Sequence, residues 1–182
     1  MDFPSICDRL EAVCAGAIVE RVVAGAAEDG APKDAFLVLA ADRLRDAMTA
    51  LRDDAELRFD LLICLGAVDY PEVQPKAKKK ADPVPDPIPG RFEVVYHLLS
   101  TIKNQRCVVK IKLPHDEKPV APTVQDIYPT ANWHEREAWD LMGIHFDGHP
   151  DMRRVLCALD WVGHPLRKDY VFPKEYHGIS AE

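Results

Sequence analysis

Residues 132–172 read NWHEREAWDLMGIHFDGHPDMRRVLCALDWVGHPLRKDYVF, and the fold is best approached from this stretch outward. Asn132 is placed to cap a helix, with Glu135 three residues on to complete a capping box. Trp133 to Met142 then predicts about three helical turns, ended by Gly143 in the left-handed conformation. Arg136 and Asp140 stand at i,i+4 and can pair on one face, while Ala138, Leu141 and Met142 can face a core. A short extended run, Ile144 to Phe146, leads into the turn Gly148-His149-Pro150. A second Gly-His-Pro follows at 163–165. Each turn delivers a basic pair, Arg153-Arg154 and Arg167-Lys168. A segment so rich in ordering signals and so poor in periodicity wraps over something, its own domain or a partner.

Upstream, Ile6, Leu10, Val13 and Cys14 recur at helical spacing. Ala17–Val23 and Ala35–Leu39 read as short strands joined by a loop with Gly25, Gly30 and Pro32. Asp42 is placed to cap a second helix with Leu44, Ala47, Met48 and Leu51 inward. Leu57–Leu65 reads as a third strand, apolar on both faces and therefore central. This order predicts a small α+β domain over residues 1–130, with helices on one side of a mixed sheet. Residues 131–182 add the helix just described and a long irregular C-terminal extension.

Between residues 71 and 90 the composition changes, with six of the 15 prolines and four lysines, Lys76, Lys78, Lys79 and Lys80. That excludes a regular element and predicts an extended, solvated loop, first to be cut by trypsin at Lys76–Lys80. Its lysines read as a spacer that resists aggregation, or as a contact for an anionic surface. Arg91–Leu99 and Arg106–Leu113 follow as a hairpin across Thr101–Gln105. Phe92, Val94, Tyr96 and Leu98 alternate with Glu93 and His97; Cys107, Val109, Ile111 and Leu113 alternate with Lys110 and Lys112. Pro114, Pro119 and Pro122 end the sheet, and Thr123–Asp126 looks like a single helical turn with its own capping box.

Composition bounds the chemistry. The 182 residues are 47% hydrophobic and 29% charged, enough for one or two globular domains. A net charge of −7 argues against nucleic-acid binding, which needs a basic face. No apolar run is long enough for a membrane span, and the acidic start lacks the pattern of a signal peptide. A cytoplasmic place, free or against the membrane's cytoplasmic side, follows as the expectation. Five scattered cysteines without a C-x-x-C predict buried thiols rather than a disulfide framework or a cluster site.

Active-site signals fail one by one. His134-Glu135 begins like a zinc-protease helix, but the residue four after His134 is Ala138. Glu135, Glu137, Asp140, His145 and His149 are possible metal ligands, yet Glu135 and Glu137 fall on different helix faces. No glycine-rich phosphate cradle is present. Cys157 with His149 or His164 lacks an orienting third group. The expectation is no catalytic, cofactor or metal site, with a stand-alone metallohydrolase as the alternative of a different class. What remains is interaction. Trp133, Trp139, Trp161 and Tyr170 with Arg153, Arg154 and Arg167 are side-chain types that dominate permanent interfaces. From the residues alone, a core role for the tryptophans and helix-capping for the arginines competes evenly.

Several of these segments resemble one family. Glu135-Arg136-Glu137, Trp139-Asp140, Gly143-Ile144, Phe146, Gly148-His149-Pro150-Asp151 and Arg153-Arg154 are similar to the signature of the thirty-kilodalton subunit of respiratory complex I, the proton-pumping NADH:quinone oxidoreductase. Asp160-Trp161 and 163–170 continue it, and 68–70 and 91–98 resemble the family too. The resemblance implies a scaffold and assembly role in the peripheral arm, supporting electron transfer from NADH to quinone on the cytoplasmic side of the membrane. It implies that FMN, iron–sulfur clusters and quinone are held by other subunits. The implied partners are the large subunit that forms the quinone site and its iron–sulfur neighbours. The implied contact residues are Trp133, Glu135, Arg136, Glu137, Asp140, His149, Arg153, Arg154, Arg167, Lys168, Asp169 and Tyr170. An equivalent subunit of a membrane-bound hydrogenase or another quinone reductase is the nearest alternative. Residues 71–90 look like an insertion where the family has a short turn.

Overall fold

A computed structural model describes residues 1–26, 32–75 and 86–180. The chain begins with α1 (Phe3–Val13), where Asp2 accepts a hydrogen bond from the Ser5 N–H at 3.0 Å and a proline occupies the first turn. β1 (Ile18–Val22), the two-residue strands β2 (Gly25–Ala26) and β3 (Pro32–Lys33), and β4 (Phe36–Leu39) follow. A 3-10 turn, Ala41–Arg43, feeds α2 (Leu44–Asp53). Then come β5 (Leu61–Tyr70), β6 (Arg91–Ser100), β7 (Gln105–Pro114), β8 (Val120–Pro122), α3 (Ala131–Met142), β9 (His145–Asp147), β10 (Glu175–Tyr176) and β11 (Ile179–Ser180).

The main sheet has the order β1-β4-β7-β6-β5, parallel between β4 and β7 and antiparallel elsewhere. The alternation expected for the central hairpin is what builds the core. Phe92, Val94, Tyr96 and Leu98 of β6 and Cys107, Val109, Ile111 and Leu113 of β7 are all buried. They meet Ile6, Cys7 and Leu10 of α1 and Leu44, Ala47, Met48 and Leu51 of α2 in one cluster. That cluster runs on through Ala131, Ala138, Ile144 and Phe146, so residues after 130 share the core of those before it. The other face is blanketed by long side chains. Arg91 lies over the Tyr70 ring at 4.4 Å and Lys110 over Phe36 at 4.1 Å, and both pair with Glu93.

Several local expectations are corrected. Asp42 does not cap α2; it lies in the 3-10 turn, and Arg43 is at the cap position without a side-chain bond. The strand expected over Leu57–Leu65 begins only at Leu61 and is an edge strand, not a central one. Leu57 and Phe59 are buried in the connection before it, where the Phe59 N–H returns to the Leu51 carbonyl at 2.8 Å. Apolarity signalled burial there, but the burial is that of a loop tucked under a helix. The 71–90 stretch is not wholly loop, because Val73 and Ile88 exchange both backbone hydrogen bonds, at 3.0 and 2.9 Å. Lys76–Lys80 lie outside the described residues.

Candidate functional site

The site is α3 together with the chain that follows it, and Asp140 is its hub. The carboxylate is fully buried. One oxygen accepts from the Arg154 guanidinium at 2.5 Å; the other accepts the backbone N–H groups of Val155, Leu156 and Cys157 at 3.0, 2.8 and 2.9 Å. Burial pushes the group up, but the Cys157 and Leu156 amides, Arg154 and the Val155 amide overturn this and bring its pKa down to about 2. Arg154 also donates to the carbonyls of Trp161 and Gly163, at 2.9 and 3.0 Å, and His164 Nδ1–H to the Asp140 carbonyl at 3.0 Å. One carboxylate and one guanidinium thus fasten residues 154–164 to the end of α3. Gly143, with φ +75°, ends the helix as expected, and a Cβ there would stand 2.6 Å from His164.

The helix start differs from expectation. Thr130 is at the cap position without a side-chain bond, and Glu135 does not reach back to Asn132. It points inward, accepting the Thr123 hydroxyl at 2.5 Å and the Val124 N–H at 2.8 Å, and so organises the segment that precedes the helix. Asp126 closes no capping box at 123–126; it pairs with Arg45 at 2.6 Å. Desolvation raises Glu135 to about 7, against the lowering effect of Thr123 and Val124. Arg136 does not pair with Asp140 either. Its guanidinium sits over the Trp133 ring at 4.7 Å and donates to the Arg153 carbonyl at 3.2 Å, with Asp151 3.9 Å away. Arg153 pairs with Asp151 at 2.6 Å and is 70% exposed. The two adjacent arginines therefore differ: Arg154 is internal and Arg153 is presented.

His149 accepts the Asp151 N–H on Nδ1 at 3.0 Å, leaving Nε2–H for the Asn132 carbonyl at 3.3 Å. Burial, helped by the nearby Arg136 charge, lowers its pKa. A second latch holds the chain beyond Pro165. The buried Asp69 carboxylate accepts His115 Nε2–H and the Lys168 N–H, both at 2.8 Å. His115 lies flat on Phe92, 4.6 Å between centroids, and Arg167 covers the same ring at 4.9 Å while donating to the Asp116 and Glu117 carbonyls. Arg167 also pairs with Asp169, and Tyr170 packs against Gly163, its hydroxyl reaching the Val162 carbonyl at 3.0 Å. Sequence reasoning missed Asp69, His115, His164 and Thr123 as members of this framework. The resemblance covered two of them, Asp69 in Val68-Asp69-Tyr70 and His164 in the 163–170 run, without indicating what either would hold.

Tied down at so many points, the extension still presents apolar side chains outward. Leu159, Val162 and Val171 are 86%, 84% and 85% exposed, and Trp133, Leu156 and Phe172 more than half. Chemically the cluster offers little else. Glu135 and Asp140 belong to separate hydrogen-bonded sets, and among the described residues no three His, Cys, Asp or Glu side chains converge for a metal. No helix among those residues is long and apolar enough to cross a membrane.

Comparisons with known proteins converge. The sequence model for the "Respiratory-chain NADH dehydrogenase, 30 Kd subunit" matches residues 37–176. An NADH-quinone oxidoreductase subunit of Caulobacter vibrioides is 46% identical over 134 residues, 74% of this chain and 59% of that one. Its counterpart in Caulobacter sp. strain K31 is 47% identical, over 71% of this chain and 53% of its own length. The counterpart in Phenylobacterium zucineum is 40% identical over 93% of this chain and 72% of its own. The chain thus spans little more than half the length of the two Caulobacter relatives. Among solved structures, a chain from the archaeal membrane-bound sulfane sulfur reductase, a respiratory membrane complex, shares the fold. It has a TM-score of 0.59 at 24% identity, over 92% of this chain and 85% of that one.

Proposed function

The chain belongs to the 30-kilodalton subunit family of respiratory-chain NADH dehydrogenases, and from that premise we propose that it is a non-catalytic scaffold of the peripheral arm of a proton-translocating NADH:quinone oxidoreductase. Electron transfer from NADH to quinone would run through FMN, iron–sulfur clusters and quinone held by other subunits. This chain would bind the large subunit that forms the quinone site and its iron–sulfur neighbours, on the cytoplasmic face of the membrane. The observation that carries the reading is the pairing of rigidity with exposure. A structure that spends two buried carboxylates, Asp140 and Asp69, on fixing an otherwise irregular segment, and then turns Leu159, Val162 and Val171 to solvent, is built to present that surface. Isolated exposed apolar residues are ordinary; several of them on one fastened segment, Leu156, Leu159 and Val162, have interface composition.

The test is genetic and biochemical. In a bacterium lacking its own thirty-kilodalton subunit, this chain carrying an affinity tag is expressed and membranes are solubilised gently. The expected result is restored NADH:quinone activity that co-purifies with the tag. Recovery of the chain alone, with membrane activity unrestored, overturns the proposal.

A further inference from the structure

The five cysteines do not share one environment. Cys7, Cys14 and Cys107 are buried, and only Cys64 and Cys157 are partly open to solvent. Burial pushes the Cys107 thiol up to about 12 and also raises Cys7. Cys157 is raised as well, by burial and then by the Asp140 carboxylate beside it. The anion that fastens the extension thus disfavours a thiolate there. Cys64 has different neighbours.

Its position follows from the ladder between β5 and β6. Leu65 pairs with Tyr96, and both side chains belong to the core. Cys64, one residue before Leu65, pairs with His97, one residue after Tyr96, so both turn to the opposite face. Directly opposed residues have Cβ atoms about 4.5–5.5 Å apart, which makes the thiol and the imidazole immediate neighbours. His97 is exposed, and its ring makes no hydrogen bond among the described residues. On β7, Val108 stands opposite His97, and Arg106, two residues before Val108, shares that face. Arg106 is exposed and forms no ion pair among the described residues. Cys64, His97 and Arg106 line one cavity of about 550 Å³, with Phe3, Ile63 and Val108 among its apolar walls. Sites for small ligands span about 300–1,000 Å³. The lining's one carboxylate, Asp34, does not pair with Arg106, whose guanidinium stays open to an incoming carboxylate.

We propose that Cys64 is a reversible modification site for a low-molecular-weight disulfide that bears carboxylates, with His97 as the base for the thiol and Arg106 as the carboxylate contact. The thiol proton passes to the imidazole, and the thiolate attacks one sulfur of the disulfide. The new S–S bond joins Cys64 to half of the reagent. The old bond breaks, and the other half leaves as a thiolate that takes the proton back from His97. Cys64 is oxidised, the departing half is reduced, and an excess of free thiol reverses the exchange. The inference is independent of the function proposed above, since it concerns the outer face of the sheet and not the extension.

The probe is glutathione disulfide, incubated with the full chain while mass spectrometry counts and locates the adducts over time. Cys64 should react at least tenfold faster than Cys157, and dithiothreitol should remove the adduct. His97→Gln and Arg106→Gln alter exposed side chains, and thermal melting of each checks that the fold is kept. His97→Gln should slow the reaction of Cys64 with any disulfide. Arg106→Gln should slow glutathione disulfide but leave the uncharged hydroxyethyl disulfide unaffected, a distinction that a merely structural role would not produce. Faster reaction at Cys157, or equal rates at the two cysteines, overturns the site. An unchanged rate in His97→Gln overturns the role of the imidazole, and equal slowing of both reagents in Arg106→Gln overturns carboxylate recognition.

Discussion

Asp140 and Glu135 are fully buried carboxylates on one helix, yet their surroundings move them in opposite directions. Asp140 has a guanidinium and three amides and stays ionised; Glu135 has one amide and one hydroxyl, which do not offset its desolvation. The depressed value of Asp140 gives stability that is complete above its ordinary value near 3.8 and lost as pH falls towards about 2. The raised value of Glu135 gives stability that is complete below 4.5 and lost as pH rises through about 7. Across that second window the isolated chain should lose on the order of 3 kcal/mol, and Glu135→Gln, which imitates the protonated acid, should flatten the decline. Urea melts of both proteins on either side of the window check this. The two arginines make a sharper contrast. Arg154→Ala leaves Asp140 without its cation and two carbonyls without a donor, and should destabilise the isolated chain by about 3–5 kcal/mol. Arg153→Ala removes an exposed pair and should cost about 0–1 kcal/mol in the same melt. Equal effects of the two substitutions would contradict this division of roles.

At the scale of the element, α3 works through its ends and its outer face. Its C-terminus needs a residue without a side chain at 143, both for the positive φ and for His164, which donates to the Asp140 carbonyl. Gly143→Ala should therefore do more than strain one residue, which alone is worth about 1–2 kcal/mol. It should displace His164 and loosen residues 154–164, seen as faster proteolysis of the extension at temperatures where the core is intact. On the outer face, Trp133 is 65% exposed with Arg136 stacked on it. Trp133→Ala should change monomer melting by less than about 1 kcal/mol yet weaken assembly by about 2 kcal/mol or more if it is an anchor. Complex recovered from membranes reads the second quantity.

For the whole molecule, the prediction is an inert protein. Purified alone, the chain should be colourless, hold no stoichiometric metal and turn over neither NADH nor quinone. Bound metal or a redox-active absorbance would sink the scaffold reading. The buried carboxylates Glu135 and Asp140 of α3 are occupied with fixing chain to chain.

The sequence by itself determined what depends on neighbours a few residues away. The alternation in 91–99 and 106–113 had to place Phe92, Val94, Tyr96, Cys107, Val109 and Ile111 on one buried face, because a strand's side-chain period is two. The stripe of α2 and the helix stop at Gly143 were legible for the same reason, as was the family through its contiguous motifs. Tertiary structure decided the rest. Whether Leu61–Tyr70 lies at the centre or the edge depends on which strands pair, and apolar content alone does not say. Arg136 and Asp140 satisfied the spacing rule for a helical pair, but each is engaged instead by the chain that folds back over α3, Asp140 by Arg154 and three amides and Arg136 by the Arg153 carbonyl. Asp69 meets the Lys168 amide across 99 residues of sequence. No local pattern encodes such a contact, because it exists only once the core has brought the two segments together.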